Sequence, residues 1–294
     1  MFCRQRERFH QKGNAVMLGF FKRNQKNHTV QHHHYPYSFI TVSEYIKPMT
    51  VVEFESAQQS LENASEWLYQ SHQKRNIALC AHFSHHDIEN GHYQETLSQM
   101  VSRHAIPVVL TNCHEILLSA LPVVLAGHEE VGLMNINHNM GLKSTLNVKL
   151  GSAYHFALTR YPNSRAFFVG VSQESTANEL FEYAEDLGSN WLTEKEFSFR
   201  HRYDVKEQIG NFIDHCDKLV LSIDLASLVT KANIDNHHTL DIQMVLRTLR
   251  QCIVSGKVSL IQLIGSRDGL IFSRECKAIL EELEQLTEFA HHAA

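Results

Sequence analysis

Val131-Gly132-Leu133-Met134-Asn135-Ile136-Asn137-His138-Asn139-Met140-Gly141 is the stretch on which the fold reading turns. Its first six residues make a short, largely apolar run of strand length, as expected for a strand buried on both faces. The run stops at a polar Asn-His-Asn with a glycine close behind. In an open parallel sheet such a cluster falls at the carboxyl end of a strand, where ligands bind.

Reading outward, the same kind of run recurs between helical periods. Upstream, 55–73 carries Leu61, Ala64, Trp67 and Leu68 at helical spacing, 76–80 is a short strand, and 98–104 a helix end. Ile106-Pro107-Val108-Val109-Leu110 is a buried strand followed by a helix over 115–125. Downstream, the predicted strands are 166–171, 218–225 and 258–264. The predicted helices are 176–187 with Gly188 at its end, 206–215, 240–255 stopped at Gly256, and 274–289. Strand–helix alternation of this kind implies an α/β fold whose parallel sheet is covered on both faces.

The chain has 294 residues and 43% hydrophobic content, enough to bury a large interior in one domain. A net charge of −5 gives no reason to expect a nucleic-acid partner or an anionic membrane surface. No apolar run reaches the roughly 18 residues that a membrane span requires. The cysteines Cys3, Cys80, Cys113, Cys216, Cys252 and Cys276 are scattered without a Cys-x-x-Cys pair, which suits reduced thiols in the cytoplasm. There is no repeat and no Pro- or Gly-rich linker, so 38–294 reads as a single α/β domain.

Residues 1–37 are rich in Lys, Arg, Asn, Gln and His and are expected to be poorly ordered. Residues 1–16 lack the apolar stretch of a secretion signal. Met17 opens the more apolar Leu18-Gly19-Phe20-Phe21, which leaves the natural start open between Met1 and Met17. Histidine is abundant, with the run His32-His33-His34 and the pairs His85-His86, His237-His238 and His291-His292. Adjacent side chains diverge on strands and helices, so surface polarity is the expected reading and metal capture by the histidine run the weaker one.

Five segments, in order over roughly residues 98–285, resemble the ureohydrolases (arginase, agmatinase, formimidoylglutamase), and formimidoylglutamase-like members in particular. Pro107 to Glu115 is similar to that family's Pro-Val-Val-Leu-Gly-Gly-Gly-His-Glu, and Val131 to Lys143 to its Ile-Gly-Ile-Ile-Asn-Phe-Asp-Ala-His-Phe-Asp-Leu-Arg. Ser152-Ala153-Tyr154-His155-Phe156 stands where the family has Ser-Gly-Thr-Pro-Phe. Phe168 to Phe181 resembles its Gly-Val-Ser and following helix, and Leu221-Ser222-Ile223-Asp224-Leu225-Ala226 its last ligand segment. The resemblance implies a three-layer sandwich with a mainly parallel central sheet, arginase-like, and assembly as a homo-oligomer, commonly trimers or hexamers.

The family grips two manganese ions with six side chains, and only two of those positions keep a ligand here, His114 and Asp224. The others hold Asn137, Asn139, Gly141 and Ala226, and a substrate-facing Glu of the family falls on Ile264. Two dications about 3.5–4 Å apart need several carboxylates to neutralise them. One carboxylate remains, and Asn offers a hard cation only a neutral carbonyl. His138 could replace the lost His only through a bulge, because a one-residue shift turns the side chain to the other face. Cys113 beside His114 has no third group to orient a thiol nucleophile. Tyr154 and His155 put bulk near the cleft, where they either fill the substrate's space or form a new polar pocket.

The expectation is therefore a ureohydrolase-fold protein without its binuclear site: a non-catalytic relative binding a small molecule or a partner, with no cofactor expected. The alternative is manganese-dependent hydrolysis of an amidine or guanidino C–N bond, such as that of N-formimidoyl-L-glutamate, with His114 and Asp224 holding at least one ion. A third reading is a histidine-rich metal store using His32–His34.

Overall fold

A computed structural model describes residues 37–72, 78–125, 127, 129–230 and 239–292. Eight strands among them form one sheet in the order β2-β1-β3-β8-β7-β4-β5-β6. They are β1 (Tyr37–Val42), β2 (Ala78–Phe83), β3 (Ile106–Thr111), β4 (Val131–Ile136), β5 (Ser164–Val171), β6 (Asn190–Thr193), β7 (Lys218–Asp224) and β8 (Val258–Ile264). Every neighbouring pair is parallel. The chain passes from β3 to β4 across two places that β7 and β8 fill later, so the middle of the sheet is its last part in sequence.

Helices cover both faces, which completes the three-layer α/β sandwich. One layer holds α1 (Val51–His72), α7 (Arg202–Asp214), α8 (Ile242–Val254) and α10 (Arg274–His292). Leu61, Ile209, Leu249 and Ile279 of these helices pack on Val108, Met134, Leu221 and Ile261. The other holds α2 (His85–Glu89), α3 (His92–Ser102), α4 (Ile116–Val124), α5 (Ala153–Arg160) and α6 (Asn178–Asp186). Here Leu97, Leu117, Ala157 and Ala184 meet Val109, Leu133, Phe168 and Val220. The period-2 alternation of each strand divides its side chains between the two cores. A four-residue helix, α9 (Asp268–Ile271), precedes α10.

The predicted strands and long helices are present with shifted ends. Helix α1 begins at Val51, not 55, because Thr50 and Glu53 cap it: Thr50 N–H donates to Glu53 Oε2 at 2.8 Å and Glu53 N–H to Thr50 Oγ1 at 3.2 Å. Gly188 and Gly256 end α6 and α8 with φ of +66° and +70°, a left-handed conformation that glycine adopts without strain. The sequence reading did not place β1, β6 or α5. Of the segment expected to be poorly ordered, 1–37, all but Tyr37 lies outside the described residues, as do His32–His34 and His237–His238. Tyr37 opens β1 and is buried. Among the described residues no helix is long and apolar enough to cross a membrane.

Candidate functional site at the carboxyl edge of the sheet

β3, β8, β7 and β4 are adjacent, so residues far apart in sequence meet where these strands end. His114 follows β3 in the turn before α4, Asn137 is the first residue beyond β4, and Asp224 ends β7. Asn137 and Asp224 project from the face that packs on α4 and α5, two residues beyond Asn135 and Ser222 of the same strands. A cleft of about 200 Å³ opens here between His114, Asp224, Ala226, Ile264, Ser266 and Gly151.

Hydrogen bonds assign the donors within it. Asn137 Oδ1 accepts from the Ser227 hydroxyl and from Asn139 N–H, both at 3.1 Å. The amide nitrogen of Asn137 therefore faces His114 and donates to Nε2 at 3.0 Å. That bond leaves the imidazole proton on Nδ1, which is buried without a partner. Asp224 Oδ2 lies 3.4 Å from the same Nε2, so two acceptors stand side by side with the Asn137 amide supplying the donor. Asp224 Oδ1 accepts from Ala226 N–H at 2.8 Å and caps the 3-10 turn Leu225–Ser227.

The remaining sequence candidates take other positions. Asn139 is exposed, and its backbone carbonyl accepts from Asn135 Nδ2 at 3.1 Å. Gly141 has φ +65°, and a Cβ there would sit 3.1 Å from Cδ2 of Tyr154. Tyr154 and His155, expected to border a substrate space or pocket, do not line the cleft. Tyr154 is buried, edge-on to Phe168, with its ring 6.3 Å from that of His114. Burial raises its hydroxyl pKa, while a hydrogen bond with Ser222 lowers it. His155 is one residue further along α5 and so turns away, its Nδ1 2.6 Å from the Tyr183 hydroxyl.

His138 points to the other side of its strand, as the period of two requires: Nδ1 donates to Gly170 O at 3.1 Å, with Glu194 Oε2 at 3.7 Å. Cys113 is buried, and desolvation raises its thiol well above the ordinary range. Glu115 is committed to the backbone, accepting from Gly151 and Ser152 N–H at 2.8 and 3.1 Å. Among the described residues no group of three or more His, Cys, Asp or Glu is placed to hold a metal ion. A larger groove of about 520 Å³, at the amino ends of β5 and β6 beside α7, contains none of these residues.

Two contributors escaped the sequence reading. Ser227 anchors Asn137 and also accepts from His138 N–H at 3.1 Å. Below the cleft, Ser222 donates to Gln262 Oε1 at 3.1 Å across β7 and β8, and Asn135 stands opposite Ser222 on β4. Polar residues two before Asn137 and Asp224 on the same strands were the available signal for this buried row.

No protein-family model matches the chain. Against curated proteins it is 24% identical over 137 residues to the formimidoylglutamase of Chromobacterium violaceum, covering 45% of this chain and 44% of that one. The formimidoylglutamase of Psychrobacter cryohalolentis is 22% identical over 217 residues, covering 67% and 63%. The chain thus spans less than two thirds of the length of either relative. The crystal structure of Bacillus subtilis formimidoylglutamase superposes with a TM-score of 0.65 at 14% identity, over 86% of this chain and 87% of that one. Bacillus caldovelox arginase gives 0.62 at 16%, over 85% and 96%. By sequence the chain is similar to formimidoylglutamases, and by fold it shares the three-layer α/β sandwich of formimidoylglutamase and arginase structures.

Proposed function

We propose that this chain has lost the binuclear manganese site of its relatives and acts as a non-catalytic protein that binds a small polar ligand or a partner. The observation that carries this reading is the Asn137 carboxamide seated on His114. Its N–H occupies the Nε2 lone pair that a metal would need, and its carbonyl is already shared by Ser227 and Asn139 N–H. The donor set does not fit a two-manganese centre. Asp224 is the one carboxylate on the cleft that backbone or other side chains leave with a free oxygen toward His114, while Gly141 and Ala226 bring no ligand atom. Ile264 adds an apolar wall beside Asp224. The proposal includes a reducing, cytoplasmic setting, supported by the free thiols of Cys113, Cys216, Cys252 and Cys276.

A second reading, a manganese-dependent hydrolase of a linear amidine such as N-formimidoyl-L-glutamate, draws on the retained His114–Asp224 pair, 3.4 Å apart at family ligand positions. A variant of the structurally similar Trypanosoma cruzi formiminoglutamase was solved with manganese. In that version Asn137 and Asn139 assist the pair in holding an ion. Plasma emission spectrometry on protein purified with manganese, paired with a formimidoylglutamate assay, separates the two. Substoichiometric metal and no turnover are expected. Stoichiometric manganese with turnover would overturn the proposal.

A further inference from the structure

The sheet ends at β6, a strand of four residues that pairs with β5. Helix α7 lies over this corner, where Phe212 packs tilted against Phe167 of β5, ring centres 5.2 Å apart. Beyond that contact helix and sheet part, and the groove of about 520 Å³ opens between them. It lies at the amino ends of the strands, away from the Asp224 cleft at their carboxyl ends. Its volume is that of a small-molecule site.

Around the two phenylalanines the lining is polar on both sides. Gln208 and Asn211 come from α7, with His215 just past its end, at the i, i+3, i+7 spacing of one helix stripe. Asn190 comes from the sheet, paired with Phe167 and so projecting from the same face, and Arg165 stands two residues before Phe167 on that face. Among the described residues the carboxamides of Asn190, Gln208 and Asn211 have no hydrogen-bond partner in the protein. His215 Nδ1 donates to Asn211 O at 2.6 Å, which leaves Nε2 as its free acceptor. Among the described residues no carboxylate lines the groove, and the Arg165 charge is balanced by Glu130 Oε2 at 2.8 Å. The open chemistry is therefore neutral: three groups that each donate and accept, set around apolar ring faces.

We infer that this groove binds a neutral, planar nitrogen heterocycle of the nucleobase type, carried as a nucleoside. A carboxamide is the side chain that matches the adjacent donor and acceptor on the edge of such a ring, as Asn and Gln do against adenine. Aromatic side chains supply the surface that takes the ring's face. A simple sugar fits less well, because the lining has no carboxylate, the stronger acceptor for its hydroxyl groups. An anionic ligand would have to compete with Glu130 for Arg165.

Trp191 of β6 borders the groove, and the chain's other tryptophan, Trp67 of α1, packs on Phe272. In full-length protein carrying Trp67→Phe, emission excited at the red edge of tryptophan absorption therefore reports on the groove. Adenosine, guanosine, cytidine and uridine are titrated in turn, with glucose and inorganic phosphate as controls. At least one nucleoside should change the Trp191 emission saturably, and calorimetry on the wild type should return the same affinity. Gln208→Ala with Asn211→Ala, both exposed on α7, should weaken that binding about tenfold or more while circular dichroism stays native. Asn190→Ala, on the sheet side, serves as the second variant should the helix pair unfold. The inference is overturned if none of the four nucleosides binds, if the folded variants bind as tightly as the wild type, or if glucose or phosphate binds as tightly as a nucleoside. The titration involves neither metal nor the Asp224 cleft, so its outcome is independent of the manganese test.

Discussion

Asn137 does what a carboxylate at its position could not: it donates to one neighbour and accepts from two others. Ser227, Asn139 N–H and His114 Nε2 are all satisfied by one buried carboxamide. Asn137→Ala strips all three partners and is expected to cost about 1–3 kcal/mol, read as a lower denaturant midpoint. Glu44, two residues beyond β1, offers a pH test. Burial is the largest influence on its carboxyl and raises it to about 7, while the nearby His85, 3.2 Å away, lowers it. A raised folded-state value means the fold favours the protonated form. The resulting stabilisation is complete below the ordinary carboxylate range and is lost as pH climbs through 7. Glu44→Gln should remove that slope and leave the protein more stable at pH 8 by on the order of 2 kcal/mol, measured by thermal melts across pH 4.5–8.

Among the elements, legibility followed the length of the pattern. The long amphipathic helices and the apolar strands β3, β4, β7 and β8 carry several turns or alternations each and were readable. Helix α5 and strand β6 have eight and four residues, too few for a period to stand out. β1, Tyr-Ser-Phe-Ile-Thr-Val, was missed because it adjoins a polar, histidine-rich segment that dominated its window. The start of α1 was signalled by Thr50-x-x-Glu53, a capping box passed over in favour of apolar spacing. Thr50→Ala is expected to cost about 1 kcal/mol, with the melting temperature as readout. Helix α5 also explains why Gly141 is glycine: the Tyr154 ring fills the space a side chain would take, and φ is already positive. Restoring Asn137→Asp, Asn139→His, Gly141→Asp and Ala226→Asp together should therefore yield manganese binding only when Tyr154→Thr is added. Equilibrium dialysis with manganese, with and without the Tyr154 change, decides it.

For the whole molecule, metal linkage gives a global readout of the same difference. An ion that binds only the folded state at a hundred times its Kd stabilises by about 2.7 kcal/mol. Excess manganese should leave the wild-type melting temperature unchanged and raise that of the five-position variant; a comparable rise in the wild type would restore the hydrolase reading. By itself the sequence determined the α/β alternation, the parallel sheet, and the shortage of acids at the strand ends, because hydrophobic period and residue identity are local properties of the chain. It could not determine that the Asn137 amide turns its nitrogen to His114, that Tyr154 fills the place beside Gly141, or that His155 faces Tyr183. Those depend on partners 13 to 90 residues away, through Tyr154 on Gly141 and Ser227 on Asn137, that only the closing of the sheet brings within hydrogen-bonding or van der Waals reach.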